Sequence, residues 1–116
     1  MNTEIISNYL DETVEILKKL EISEVILFGS VSKGNYDEES DIDLLIILDI
    51  DKIPETYEEK MELKLVISRS LRRINKKVPL DLLVYTKKEY EIMKKEGSSF
   101  FNEISNTGKK LYEKAS

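Results

Sequence analysis

The sequence predicts a small α/β domain, because helical stretches alternate with short buried strands. Apolar residues recur at helical spacing over 3–20, the run 42–48 is almost entirely apolar, and a second long helical stretch ends just before the apolar run 80–85. A chain of 116 residues suits one compact domain, and we expect residues 1–116 to form a single domain.

The first half of the chain is predicted to hold a helix and two strands. The helix covers 3–20, with an inner face formed by Ile6, Tyr9, Leu10, Thr13, Leu17 and Leu20. A strand over 24–28 ends at Gly29, and the polar residues 29–34 form a turn that leads into a short helix. After an acidic loop over 35–40, the apolar run 41–48 is typical of a strand covered on both faces.

The second half is predicted to begin with a long helix whose first turn contains Pro54 and which ends near Lys77. The inner face of this helix would carry Tyr57, Met61, Leu65, Leu71 and Ile74. A strand over 80–85 follows, and Thr86 is a suitable N-cap for a helix over 87–96 that stops at Gly97. A last helix over 98–106 would turn its apolar residues Phe100, Phe101 and Ile104 inward, and 109–114 would be a tail anchored by Leu111 and Tyr112.

Composition limits the chemistry that this chain performs. Cysteine and histidine are absent, which excludes thiolate zinc sites and leaves acid–base work to carboxylates, lysine, tyrosine or metal-bound water. The formal net charge of −5 argues against direct binding to nucleic acid. The amino terminus lacks the pattern of a secretory signal, and no apolar run approaches the roughly 20 residues of a membrane span. We therefore expect a cytoplasmic protein without membrane contact.

Asp41 and Asp43 are the first candidate site residues. Residues two apart on a strand point to the same face, so their carboxylates lie side by side at the start of an apolar strand. Like charges this close repel, and a bound Mg²⁺ ion, which prefers oxygen ligands, relieves the repulsion. The alternative is a solvated strand entrance. A calcium loop is excluded, because Ile42 stands where such a loop needs glycine.

Gly29, Ser30 and Asp81 extend the candidate site. A glycine lets a phosphate approach the backbone, a serine offers its hydroxyl, and a following helix presents free N–H groups; the alternative is a simple turn. The spacing of a Walker loop is missing. Asp81 interrupts the apolar run 80–84, where a charge is costly unless it is paired or metal-bound. The alternative for Asp81 is the exposed face of an edge strand.

Together these motifs resemble the nucleotidyltransferase superfamily that includes DNA polymerase beta. That superfamily has Gly-Ser, a spacer, Asp-x-Asp and a third acidic residue on a later strand. Here ten residues separate Ser30 from Asp41, and 40–44 is Ser-Asp-Ile-Asp-Leu. The superfamily's small-Arg-Gly is represented by Ser-Lys-Gly at 32–34, which keeps a cation at Lys33. The tail 101–113 is similar to that of the minimal nucleotidyltransferases, the MntA-type antitoxins of HEPN/MNT toxin–antitoxin systems.

The resemblance implies a polymerase beta-like nucleotidyltransferase fold, a small mixed β-sheet with helices packed mainly on one face. It also implies the catalytic and metal-binding residues: Asp41 and Asp43 would hold Mg²⁺ on the triphosphate, and Asp81 would complete a second metal position and help to deprotonate the attacking hydroxyl. The nucleotide, ATP, would be held through its phosphates by Gly29, Ser30 and Lys33.

The implied acceptor is a hydroxyl, that of a tyrosine, on a cognate HEPN-domain ribonuclease toxin. Transfer of AMP from Mg-ATP would neutralise the toxin, and the two proteins would form a hetero-oligomer. Two alternatives stay open. The chain would act without catalysis, as a binding module that occludes its partner, or it would modify a small molecule as aminoglycoside nucleotidyltransferases do.

Overall fold

A computed structural model describes residues 3–29 and 41–115 of the chain. The predicted turn with its short helix and the acidic loop, over 30–40, lie outside the described residues. The described elements, in chain order, are α1 (Thr3–Leu17), β1 (Ile22–Phe28), β2 (Ile42–Leu48), α2 (Tyr57–Ser70), α3 (Arg72–Asn75), β3 (Leu80–Thr86), α4 (Lys87–Glu96), α5 (Ser99–Thr107) and β4 (Lys109–Glu113).

The described strands form one mixed sheet in the order β3-β2-β1-β4. β2 and β3 run parallel, whereas β1 is antiparallel to both β2 and β4. The register of the parallel pair runs without a shift from Ile42 beside Leu80 to Leu48 beside Thr86. β2 lies inside this sheet and is covered on both faces, as its apolar run predicts; residues 44–47 are 0% exposed.

Helices α1, α2 and α3 cover one face of the sheet. Their buried side chains, together with alternate residues of the strands, form the larger core cluster, which includes Ile6, Leu17, Leu44, Ile46, Ile67, Leu71, Ile74, Leu82 and Val84. Each buried Leu or Ile contributes about 1.5–3 kcal/mol to folding. The predicted inner face of the first helix is confirmed over α1, since its residues up to Leu17 are buried or packed against this cluster. The helix ends at Leu17 and not at Leu20, which packs against the cluster from the segment after α1.

Helices α4 and α5 pack on the opposite face, where Tyr90, Phe101 and Ile104 contact Leu45 and Ile47. The predicted ends of α4 are confirmed. At its start the Thr86 hydroxyl accepts a hydrogen bond from the backbone of Glu89 at 3.1 Å, and the Glu89 carboxylate accepts one from the backbone of Thr86 at 3.0 Å. At its end Gly97 adopts the left-handed conformation, with φ of 67°.

Asp49 links three parts of the chain at the end of β2. Its carboxylate accepts hydrogen bonds from Lys87 at the start of α4 (3.2 Å) and from Lys114 just after β4 (2.5 Å). These hydrogen bonds, that of Lys114 first, hold the pKa of Asp49 below its ordinary value. The contact attaches the segment after β4 to the end of β2, an interior strand of the described sheet.

The structure corrects several details of the second half. α2 begins at Tyr57 after the cap residue Thr56, not at Pro54. Tyr57 is 76% exposed and Leu65 41%, because α2 turns Ile67 toward the sheet instead. Phe100 is 41% exposed, although Phe101 beside it is buried. The predicted tail is strand β4, which pairs with β1.

The predicted fold class is confirmed: helices and a small mixed sheet make an α/β domain, and the long helices α1 and α2 share one face. None of the described helices combines the length and apolar composition that crossing a membrane requires.

Candidate active site

The candidate site lies at the edge of the sheet where β1 ends and where β2 and β3 begin. Phe28 is the register partner of Asp43, and Asp43 is the register partner of Asp81, so the three residues form a row across adjacent strands. Neighbouring strands are about 4.8 Å apart, and register partners point to the same face. Asp43 and Asp81 therefore lie side by side, on the face that α4 and α5 cover further along the strands.

Electrostatic repulsion marks this pair. Partial burial raises the pKa of Asp43 above its ordinary value, and the negative charges of Asp81 and Asp41 and a hydrogen bond with Asp81 raise it further. Two carboxylates that the sequence singled out thus act on the third, that of Asp43. Such repulsion costs free energy in the unliganded protein and makes the site attractive to a cation.

Gly29 lies at the β1 end of this row, directly after Phe28. Its φ is +76°, in the left-handed region that disfavours other residues, so the chain turns sharply directly after the strand. A Cβ added at this position would overlap the Oδ2 atom of Asp43 and lie 3.0 Å from its Cγ atom. The backbone therefore approaches the carboxylate more closely than any side-chain-bearing residue permits.

Of the predicted site residues, the structure also describes Asp41 and Asp81, but not Ser30 and Lys33. Asp41 directly precedes β2 and is exposed, and Asp81 is exposed on β3, which forms an edge of the described sheet. The two readings of Asp81, an exposed edge position and a member of the acidic site, thus both describe its location. Ser30 and Lys33 lie outside the described residues.

The donor set suits Mg²⁺. Among the described residues, no three Asp, Glu, His or Cys side chains are grouped closely enough to hold one metal ion by themselves. Mg²⁺ does not need such a cage, because it usually takes one or two carboxylates and completes its shell with substrate phosphates and water. Asp43 and Asp81 supply such a pair, and Asp41 lies just before β2 at the same edge of the sheet.

Two aromatic residues beside the carboxylates were not predicted as part of the site. Phe28 precedes Gly29, and its ring meets that of Phe100 edge to face, with ring centres 5.8 Å apart. The side chains of Phe28 and Asp43 lie on the same face of the sheet, so this contact brings α5 next to the row of Phe28, Asp43 and Asp81. The sequence held one signal, the aromatic pair at 100–101, but it could not show which ring faces outward.

The fold and the site define the class of protein: an α/β domain that presents a glycine turn and paired carboxylates at one sheet edge, as enzymes that transfer nucleotidyl groups do. A family model described as "Nucleotidyltransferase domain" matches residues 10–89, and the chain belongs to this family. The match includes β1, β2 and β3, and with them Gly29 directly after β1, Asp43 on β2 and Asp81 on β3.

Individual relatives agree with this assignment. The chain is 34% identical over 105 residues to MJ0141 of Methanocaldococcus jannaschii, a candidate protein adenylyltransferase, and the alignment covers 90% of this chain and 93% of the relative. Two solved structures share the fold at lower identity. One is a candidate nucleotidyltransferase from Sulfolobus solfataricus, with a TM-score of 0.58, 21% identity, and coverage of 92% of this chain and 79% of that one. The other belongs to a toxin–antitoxin complex with AMP-PNP, with a TM-score of 0.53, 18% identity, and coverage of 90% and 73%.

Proposed function

We propose that this nucleotidyltransferase transfers AMP from Mg-ATP to a tyrosine hydroxyl of a HEPN-domain ribonuclease toxin and so acts as its antitoxin. The observation that carries the proposal is the contact between Asp43 and Asp81 directly beside the Gly29 turn. The name of the M. jannaschii relative, which is similar over nearly its whole length, supports a protein acceptor. The shared fold of a chain from a toxin–antitoxin complex supports the kind of partner.

Different exposures suit the carboxylates to different roles. Asp43 is half-buried between β1 and β3 and is held in one place, as a metal ligand must be. Asp81 lies exposed on an edge strand, where a hydroxyl on the surface of another protein can reach it. We assign the metal positions, two Mg²⁺ ions, to Asp41, Asp43 and Asp81, and we assign the phosphates of ATP to Gly29, Ser30 and Lys33.

At the α-phosphorus the transfer forms one bond and breaks one, and a proton moves from the acceptor hydroxyl to a carboxylate. The acceptor oxygen bonds to the α-phosphorus of ATP, the bond from that phosphorus to the bridging oxygen breaks, and pyrophosphate leaves. Asp81 takes the proton of the hydroxyl, since the chain has no histidine to do so. When bound, Mg²⁺ supplies positive charge against the attacking and leaving oxygens. The reaction consumes ATP, and we place it in the cytoplasm.

A radiolabel experiment tests this function. The protein is incubated with α-labelled ATP, Mg²⁺ and the protein encoded by the adjacent gene. We expect the label on a tyrosine of that protein. The double substitution Asp41→Asn with Asp43→Asn should reduce labelling at least about a hundredfold, because metal stabilisation is worth several kcal/mol. Asp51→Asn, an exposed aspartate beyond β2, is the matched control and should label normally.

One observation favours a second function, neutralisation by binding alone. Three large hydrophobic side chains are exposed on α2 and on the segment before it: Ile53 (48%), Tyr57 (76%) and Val66 (53%). They lie beyond the end of β2 that is opposite to the carboxylates. Such residues suit a partner surface that needs no catalysis. If the double aspartate variant still neutralises the toxin, binding is the function. If label appears only on small hydroxyl compounds, the acceptor is a small molecule.

A further inference from the structure

Phe100 is an exposed aromatic ring at the candidate site that the proposed reaction leaves without a role. It belongs to the first turn of α5 and is 41% exposed. Exposed apolar residues are common and alone mean little. The position of this ring and its support by other aromatic rings distinguish it from the other exposed apolar residues.

The position follows from two contacts. The backbone of Phe28 pairs with that of Asp43 on the neighbouring strand, and the ring of Phe28 meets that of Phe100 at 5.8 Å. Because the side chains of Phe28 and Asp43 lie on the same face, the ring of Phe28 lies between Phe100 and the carboxylates of the site.

The ring is also held in place. It contacts Phe28 edge to face on one side, and it contacts the buried Phe101 edge to face on another, with ring centres 5.3 Å apart and planes at 82°. The turn that carries it is capped, since the Ser98 hydroxyl accepts a hydrogen bond from the backbone of Phe101 at 3.3 Å. A fixed ring loses little conformational entropy when a flat partner packs on it.

We propose that Phe100 is the surface on which the base of the bound nucleoside triphosphate stacks. The proposal rests on the proposed function, because a base arrives at this place only if the carboxylates hold the phosphates of a nucleotide. Stacking on an aromatic ring tolerates any base. Phe100 therefore supplies affinity for the nucleoside, and selection among bases falls to other groups.

A binding experiment compares two ligands, each with Mg²⁺. One is α,β-methylene-ATP, which contains a base and resists transfer, and the other is inorganic tripolyphosphate, which has no base. Phe100→Leu keeps an apolar side chain but removes the ring. We expect this variant to bind α,β-methylene-ATP roughly 5- to 150-fold more weakly and tripolyphosphate as wild type does. Phe100→Tyr keeps a ring and should bind both ligands normally, as should the control Leu65→Ala, which shortens an equally exposed apolar side chain on α2.

A spectroscopic signal makes the test independent of stability. The chain contains no tryptophan, so Phe100→Trp introduces a single one. We expect α,β-methylene-ATP to quench the emission of Trp at this position through stacking, and tripolyphosphate to leave it unchanged. Leu65→Trp, the matched control at an equally exposed position of α2, should respond to neither ligand.

Distinct results overturn the inference and the proposed function. Equal weakening of both ligands in Phe100→Leu would show that the ring only positions the carboxylates, and unchanged nucleotide binding with reduced transfer would assign it to the acceptor. Either result rejects base stacking and leaves the transferase proposal standing. Wild-type protein that binds neither ligand rejects the proposed function, and the inference with it.

Discussion

Replacing Gly29 by alanine should damage both the stability and the chemistry of the site, by amounts that can be separated. Gly29 and Gly97 have similar backbone conformations, with φ of +76° and +67°. A Cβ at Gly97 would meet nothing within 4 Å, whereas a Cβ at Gly29 would overlap the carboxylate of Asp43. Gly97→Ala therefore reports the cost of the left-handed conformation alone.

The magnitudes follow from this difference. The left-handed conformation costs alanine about 1–2 kcal/mol, so Gly97→Ala should lower Tm by about 4–8 °C. Gly29→Ala carries the same cost plus about 1–3 kcal/mol for overlap in a packed place. If Asp43 moves aside to relieve the overlap, a shift of about 1 Å reduces transfer roughly a hundredfold. Gly97→Ala should retain wild-type activity.

A double-mutant cycle assigns the extra cost to one contact. In Asp43→Ala the overlapping carboxylate is gone, and the nearest remaining atom of residue 43, its Cβ, lies 3.4 Å from the added methyl group, an ordinary contact. Adding Gly29→Ala to the Asp43→Ala protein should therefore lower the free energy of unfolding only by as much as Gly97→Ala lowers it in the wild-type protein. The assays are thermal denaturation for Tm, urea denaturation for the cycle, and labelling from α-labelled ATP. Equal activity in Gly29→Ala and Gly97→Ala, or additive stability changes in the cycle, would refute the reasoning.

Three further substitutions test the electrostatics and the caps by urea denaturation. Because the pKa of Asp43 is raised in the folded protein, its charge destabilises the fold at neutral pH. Solvent screens this partly exposed group, so Asp43→Asn should add only roughly 0.2–1 kcal/mol to the free energy of unfolding at pH 7. The gain should fade as the pH falls toward 3.8, while transfer is lost. Asp49 has a lowered pKa, so Asp49→Asn should destabilise above pH 3.8, and the difference should vanish as the pH falls through the lowered pKa. Thr86→Ala removes the cap of α4 and should cost about 1 kcal/mol, with activity retained.

Each of these substitutions has a control and an opposing result. Asp51→Asn makes the same charge change as Asp43→Asn on an exposed segment, and equal stabilisation by both would attribute the gain to net charge. A pH-independent effect of Asp49→Asn would mean that its hydrogen bonds, not its charge, matter. Thr86→Ser keeps the hydroxyl, and a loss equal to that of Thr86→Ala would contradict the capping role.

Much of the fold could be predicted because local patterns determine it. The apolar run of β2 and the signals around α4, Thr86 before it and Gly97 after it, specify those elements without tertiary information. The inner face of α2 was not predictable in this way. Apolar residues occur almost all around α2, at Met61, Leu63 and over 65–67, so periodicity selects no single face. Packing against the sheet chose Ile67.

The candidate site likewise has a part that local sequence patterns predict and a part that depends on tertiary structure. The pair Asp41 and Asp43 follows from strand alternation, which is local, and Gly29 marks the end of a strand. That Asp81 lies beside Asp43 depends on the parallel register of β2 and β3, which no local pattern contains. Its charge within the apolar run 80–84 marked Asp81 as a candidate, but only the resemblance to a family grouped it with Asp41 and Asp43. β4 was missed for a similar reason, since its lysines and glutamate hide a strand formed by distant pairing with β1.

The place of β4 in the sheet has a consequence for how the protein is made. β1 lies between β2 and β4, yet β4 is the last of the described strands to leave the ribosome. Until Lys109–Glu113 emerge, one side of β1 presents unpaired N–H and C=O groups, a template for strands of other chains. Interrupted synthesis or a cut before β4 thus leaves an aggregation-prone edge. Completion of the described sheet, and protection from such association, therefore requires that β4 has been synthesised.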